Sequence, residues 1–416
     1  MSFESNSKVQ DLAAKLIAFR DQHIYPNERL FNEQTSAGAS KWKPTPILEE
    51  LRQLAKQEGL WNLFLGDGRY SPGLTNFEYA PLAEIMGCNE WAPEVFNCNP
   101  PDTGNMGILA AYGTEEQKDQ WLRPLLAGEI RSCFAMTEPD VASSDATNIS
   151  ATAELSEGEW VVNGRKWFIS GPGNPQCKVA IVMCRSNPSA SRYQQHSMIL
   201  VPLDALGVSV ERQLTVLGFD FAPRGHSQLS FENVRVPRAS VLLGPGKGFE
   251  IAQGRLGPGR VHHAMRCIGA AERALGLMCR RSLSRVAFGK PLASLGRTGD
   301  LIASSRMEIN MVRQFVLHTA HLLDRVGSAM ARSEISQIKV AAPRMACRVV
   351  DRAIQIHGAA GLSQDTPLAA LYARLRTLRI VDGPDEVHLR VIAKAELDKY
   401  GPPKERSNDE LETKVS

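Results

Sequence analysis

Apolar positions along the chain change period twice. Through residues 1–130 they recur at helical spacing, as in Ile47, Leu48, Leu51, Leu54 and Ala55 behind Pro46, which suits a first helical turn. Thr114 with Gln117 three residues later is a capping-box signature ahead of Trp121 and Leu122. From 131 to 245 short β-rich runs take over: Glu159–Ser170, Val179–Cys184, Met198–Pro202, Val208–Arg212 and Leu229–Val236, with Gly, Pro and Asn between them. Within the first run, Asn163-Gly164 between β-formers predicts a hairpin turn. From 246 to 416 helical periodicity returns over 248–283, 299–327, 333–357 and 384–399, which predicts a helical bundle; the last dozen residues are polar enough to fray. The order helices, sheet, helices predicts an α+β chain of three parts. It excludes an alternating βαβ chain, and no Gly-x-Gly-x-x-Gly follows a strand.

Composition narrows the class of partner. With 43% hydrophobic and 22% charged residues the chain reads as globular, and a net charge of +3 over 416 residues gives no reason to expect nucleic acid or an anionic membrane. No apolar run reaches the roughly 18 residues of a membrane span. The N-terminus does not read as a signal peptide and the C-terminal Lys-Val-Ser is not a peroxisomal address, so a cytoplasmic location is expected. Eight scattered cysteines without a Cys-x-x-Cys pair suggest reduced thiols; no metal site is expected.

Six ordered segments carry a more specific signal. They are Gly113-Thr-Glu-Glu-Gln-Lys, Ala135-Met-Thr-Glu-Pro-Asp-Val-Ala-Ser-Ser-Asp145, Asn163-Gly-Arg-Lys-Trp-Phe-Ile-Ser170, Phe231-Glu-Asn-Val-Arg-Val-Pro237, Arg285-Val-Ala-Phe-Gly-Lys-Pro291 and Gln355-Ile-His-Gly-Ala-Ala-Gly361. Together they resemble the acyl-CoA dehydrogenase family over nearly the whole chain. The resemblance implies an N-terminal helical domain (1–130), a middle β-barrel (131–245) and a C-terminal four-helix bundle (246–416), with FAD between barrel and bundle.

By the same resemblance Phe134, Met136 and Thr137 line the flavin ring, joined by Phe168 and Ser170. Trp167, one residue from the usual tryptophan position, is the alternative to Phe168. Arg285 and Phe288 match the pair that holds the adenosine diphosphate of a neighbouring subunit's FAD, and Gln355, Gly358 and Ala359 match a second dinucleotide-binding stretch. A homodimer or homotetramer is therefore implied. A glutamine that relatives place eleven residues after the arginine is Gly296 here. On the substrate side the resemblance assigns Ser144, with Ser143 as a substitute, together with Arg260 and Gly383.

The family's base, commonly glutamate before Gly-Thr, falls on Asp382 of Val381-Asp-Gly-Pro-Asp-Glu-Val-His388. Local sequence reads Asp382 as a helix N-cap; the family frame reads it as the group that removes the α-proton of an acyl-CoA thioester while hydride leaves the β-carbon. Some relatives instead place a carboxylate on the helix before Arg260; Arg255-Leu-Gly-Pro-Gly-Arg260 offers none, which disfavours that alternative. Asp-Gly-Pro and Gly225-His226 resemble a subfamily related to kinase-fused members acting on 4-hydroxyacyl-CoAs, phosphorylated before the flavin module acts. Arg224, His226, Arg379 and His388 are candidates to neutralise such a phosphate, and a separate kinase is then an expected partner beside electron-transfer flavoprotein. A same-fold oxidase, such as a nitroalkane oxidase with its aspartate base, and a non-catalytic acyl-CoA-binding protein are the rival readings.

Overall fold

The long helix Gly248–Ser284 is the axis on which the rest is assembled. The structure, a computed structural model, describes residues 6–36 and 38–401; the C-terminal dozen lies outside them. Thirty-seven residues give this helix a length of about 55 Å. It packs with Gly296–Met330, Arg332–His357 and, through the latter, Asp385–Leu397. The break between the middle pair falls where the sequence placed it, at Gly327, which has φ 76° and ψ 171°. Among the N-terminal helices, Asn76–Gly87 and Asp102–Tyr112 pack against the axis, Ser7–Phe19 packs on Asn76–Gly87, and Pro46–Gln57 packs on its N-terminal neighbours. Thr45 caps the last of these ahead of Pro46, and Thr114 with Gln117 forms the expected capping box.

Two glycines set how closely the N-terminal part approaches the axis. A Cβ on Gly87 would lie 2.4 Å from the Arg266 carbonyl oxygen, and one on Gly269 would lie 1.9 Å from that of Glu84. Backbone therefore meets backbone where Asn76–Gly87 crosses Gly248–Ser284, and no larger residue fits either position without moving a helix.

Seven strands form one mixed sheet: β1 (Arg131–Ala135), β2 (Thr152–Ser156), β3 (Glu159–Ser170), β4 (Cys177–Arg185), β5 (His196–Pro202), β6 (Val208–Leu214) and β7 (His226–Pro237). They run in the order β1-β4-β2-β3-β7-β6 with β5 on β4, so the barrel is an open half-barrel. β4 is buried on both faces, which explains its unbroken apolar run. Val179, Ile181 and Met183 join the core shared with the helices, while Ala180, Val182 and Cys184 join the core inside the sheet.

The hairpin predicted at Asn163-Gly164 is not there. β3 runs through it, and the turn between β2 and β3 is Glu157-Gly158, with φ of 54° and 83°. Asn163 instead accepts a hydrogen bond from the Asn233 N–H across a bulge, and a Cβ on Gly164 would sit 2.6 Å from that of Ala151. The pair reports a close approach inside a sheet rather than a chain reversal.

Candidate active site

Asp382 sits on a loop whose backbone carbonyls are held by polar side chains from three helices, two of them cations. Arg260 Nε donates to the Asp382 carbonyl at 2.9 Å, and His388 Nε2 reaches the same oxygen at 3.2 Å. Lys339 Nζ donates to the carbonyls of Leu378 (2.6 Å) and Gly383 (3.3 Å). These bonds hold Asp382 at φ 55°, a left-handed conformation that aspartate tolerates better than most residues. Gly383 follows at φ 99°; a Cβ there would meet His388 Nε2 at 2.8 Å, so its glycine makes room for the clamp. The N-cap of Asp385–Leu397 is Pro384, with no side-chain cap bond, so the carboxylate of Asp382 is not spent on capping.

That carboxylate faces a basic surround. His263 Nε2 is 3.4 Å from Oδ2. Burial alone would raise the carboxyl pKa, but the His263 ring beside it and the charges of Arg255, Lys339 and Arg260 outweigh it and hold the group below the ordinary carboxylate range. Burial, with Arg266 nearby, pushes His263 down to about 3, so its ring is neutral at physiological pH. Burial, with Arg260 and Lys339, pushes His388 to about 4. Asp382 is thus an anion at neutral pH, and its own N–H meets no protein acceptor among the described residues.

Arg255 links this loop to the sheet. Its guanidinium lies 4.0 Å from the centroid of the Phe134 ring, and its Nε reaches Asn105 Oδ1 at 3.4 Å. Phe134 lies one residue before the end of β1, close to Met136 and Thr137, and Thr137 is exposed. A buried ion pair braces that turn: Lys166 Nζ is 2.8 Å from Glu138 Oε1 and donates to the carbonyls of Met136 and Met183. Glu138 also accepts from Ser150 and Ala151. Opposite, the Trp167 N–H donates to the Thr137 carbonyl at 2.9 Å, and Phe168 takes φ 50° in a bulge of β3. The two rings meet edge to face at 5.0 Å, so the one-residue ambiguity in the sequence corresponds to a bulge that brings both to one place. Ser170 bonds His226 Nδ1 at 3.0 Å. Ser143 binds the Glu138 N–H, which leaves Ser144 as the exposed hydroxyl of that turn.

A second cleft, of about 980 Å³, gathers Arg285, Gln355, Gly358 and Ala359 with Arg281, Arg297 and His357. Gly358 has φ 63° and ψ −142°, a region that only glycine enters freely. Three arginines, an unpartnered buried Nε on Arg281 and a bare helix-end backbone suit a pyrophosphate and its nucleoside. Phe288 stands beside this cleft at φ 52° and 95% exposed, at the tip of a hairpin formed by Val286–Ala287 and Lys290–Pro291. Gly296 faces open space.

Arg379 and His388, named as phosphate ligands, are used otherwise. Arg379 pairs with Asp385 at 2.9 Å, and His388 is divided between Ser336 and the Asp382 carbonyl. Sequence reasoning missed Arg255 as a cation, His263, Arg266 and Lys339. Part of that signal was present: Arg255, His263 and Arg266 fall on one stripe of Gly248–Ser284 at turn spacing, among buried neighbours such as Leu256 and Cys267. Among the described residues no cluster of His, Cys, Asp and Glu could hold a metal ion, and no helix is long and apolar enough to cross a membrane.

Known proteins give the arrangement its context. The acyl-CoA dehydrogenase middle domain matches residues 133–234 and the family's C-terminal domain matches 246–397. Acyl-CoA dehydrogenase FadE2 of Mycobacterium tuberculosis is 52% identical over 399 residues, 95% of this chain and 97% of that protein. Mouse acyl-CoA dehydrogenase family member 10 is 53% identical over 394 residues, 94% of this chain but 37% of that protein, so the chain spans well under half its length. A solved acyl-CoA dehydrogenase of Mycobacterium abscessus superposes with a TM-score of 0.93 at 54% identity, covering 96% of this chain and 100% of that one. Fold, cleft and ordered motifs agree: the chain belongs to the acyl-CoA dehydrogenase family of FAD-dependent oxidoreductases.

Proposed function

We propose that Asp382 is the base that removes the α-proton of an acyl-CoA thioester. The observation that carries this is a carboxylate kept anionic by surrounding cations, on a loop clamped in a left-handed conformation. The free N–H of Asp382 suits the thioester carbonyl, where negative charge grows as the proton leaves. FAD, when bound, supplies the acceptor for the hydride from the β-carbon. Phe134, Met136, Thr137, Phe168 and Ser170 would hold its ring, and Arg285, Phe288, Gln355, Gly358 and Ala359 its nucleotide end. Ser144, Arg260 and Gly383 belong to the substrate side. Anaerobic titration with a panel of acyl-CoAs tests the reading: bleaching of the flavin supports it, and no bleaching by any thioester removes it.

A finer reading concerns the acyl group. Arg255, Arg266 and Arg224 lie within electrostatic reach of one another or of the Asp382 carboxylate, and neither Arg255 nor Arg266 has a carboxylate hydrogen-bond partner. Such a group of arginines favours a substrate bearing an anion, such as an acyl-CoA phosphorylated at C4 by a kinase. Incubation with a 4-phosphoacyl-CoA should then release inorganic phosphate, and 4-hydroxyacyl-CoA should not react alone. Electron-transfer flavoprotein as acceptor, a homodimer or homotetramer around Phe288, and a cytoplasmic setting complete the proposal.

A further inference from the structure

An imidazole that stays neutral beside a base calls for a reason. His263 and Arg266 lie three residues apart on Gly248–Ser284, on the stretch leading to the Gly87–Gly269 crossing. Arg266 Nη2 is 3.4 Å from His263 Nδ1. A guanidinium can only donate, so Nδ1 carries the lone pair and the ring proton sits on Nε2, whose partner is Asp382 Oδ2 at 3.4 Å, slightly longer than a closed hydrogen bond. A ring that gains its second proton only near pH 3 cannot relieve Asp382 of a proton; it can only donate to it.

We propose that His263 is a positioning residue for Asp382: its Nε2–H holds Oδ2, which leaves Oδ1 for the substrate, and Arg266 fixes the tautomer. The proposal rests on the reading of Asp382 as the base. Aspartate needs such a stay because its terminal torsion is soft. The groups facing Asp382 are Arg255, Arg260 and His263 from Gly248–Ser284, Lys339 from Arg332–His357 and His388 from Asp385–Leu397. Arg260 and His388 bind its backbone carbonyl and Lys339 its neighbours' carbonyls, whereas His263 is paired with the carboxylate itself.

The test uses FAD-loaded protein with the acyl-CoA that reduces wild type fastest. Flavin reduction is followed from about pH 3 to 8, in brief pH jumps from a stable stock, in wild type, His263→Gln, His263→Leu, His263→Asn and Asp382→Asn, with thermal unfolding and FAD retention recorded for each. Glutamine places an amide N–H near the Nε2 position; leucine has no donor and asparagine is too short. His263→Leu and His263→Asn should slow limiting reduction about 10–100-fold with little change in substrate affinity. Their acid limb should move up by about one pH unit, because Asp382 loses a donor to its charged form. His263→Gln should recover the rate to within a few-fold and restore the limb. An unmoved limb in both donor-less variants, or a glutamine variant as slow as asparagine, overturns the assignment. Asp382→Asn separates the two levels: if it still reduces flavin at the wild-type rate, the base reading itself fails, whereas a dead Asp382→Asn beside an unshifted His263 series removes only His263.

Discussion

The loop around Asp382 and the cleft around Arg285 are both cationic, yet they are built in opposite ways. In the loop, Arg260, Lys339 and His388 are committed to backbone carbonyls, and His263 to the carboxylate. In the cleft, Arg285 and Gln355 are exposed, and Phe288 stands almost wholly in solvent. The first region is finished before any ligand arrives; the second acquires its partners only when a ligand or another surface covers it. Preorganisation belongs where charge moves during reaction, and openness where a large group must be admitted.

The sharpest test of this contrast is Asp382→Asn. Asparagine accepts a left-handed backbone as readily, so the loop should survive while flavin reduction falls by about 10³-fold or more, with FAD still bound. Next in size is Lys339→Met, which strips the donor from the carbonyls of Leu378 and Gly383. Unfolding free energy should fall by about 2–4 kcal/mol in denaturant titration, and reduction should slow because the loop is no longer held. Arg285→Ala should leave the apoprotein's melting temperature alone and weaken FAD about 10–100-fold, with wild-type turnover regained at saturating FAD. A variant of Arg285 that instead unfolds the protein would erase the distinction between the regions.

The smallest effect, group by group, is on pH. His262 and His263 are pushed to about 3 and His388 to about 4, each by burial first, so all three are neutral when folded and take up protons when unfolded. Each should remove up to about 1.4 kcal/mol of stability per pH unit as pH falls below about 6.5. Glu90, raised to about 7 by burial, acts in the opposite sense: its folded carboxyl holds a proton between about 4.5 and 7. The melting temperature measured from pH 7.5 to 5 should therefore fall with acid, and less steeply in His388→Asn.

The periods of the chain announced the three-part architecture, because long helices and buried strands impose their spacing on whichever residues fill them. Asp382 was legible only through a motif, since its local sequence is that of a cap; the structure shows Pro384 at the cap instead. Lys339 was not legible, because a lysine in an Ala-rich helix looks solvated until the loop it braces is known to lie over it. Asn163-Gly164 misled for a related reason: glycine at φ 143° serves a close contact with Ala151 as readily as a turn, and only the partner strand decides.

The crossing at Gly87 and Gly269 has a practical meaning for anyone wishing to alter what the enzyme accepts. Two backbones in direct contact form a hinge pin with no play, and Arg266 and His263 are mounted just along the same shaft. A larger residue at Gly87 or Gly269 would tilt the shaft and misaim both. The segment between β6 and β7, which carries Arg224, belongs to a different part of the chain and is anchored through Lys41–Asp220 instead of through this crossing.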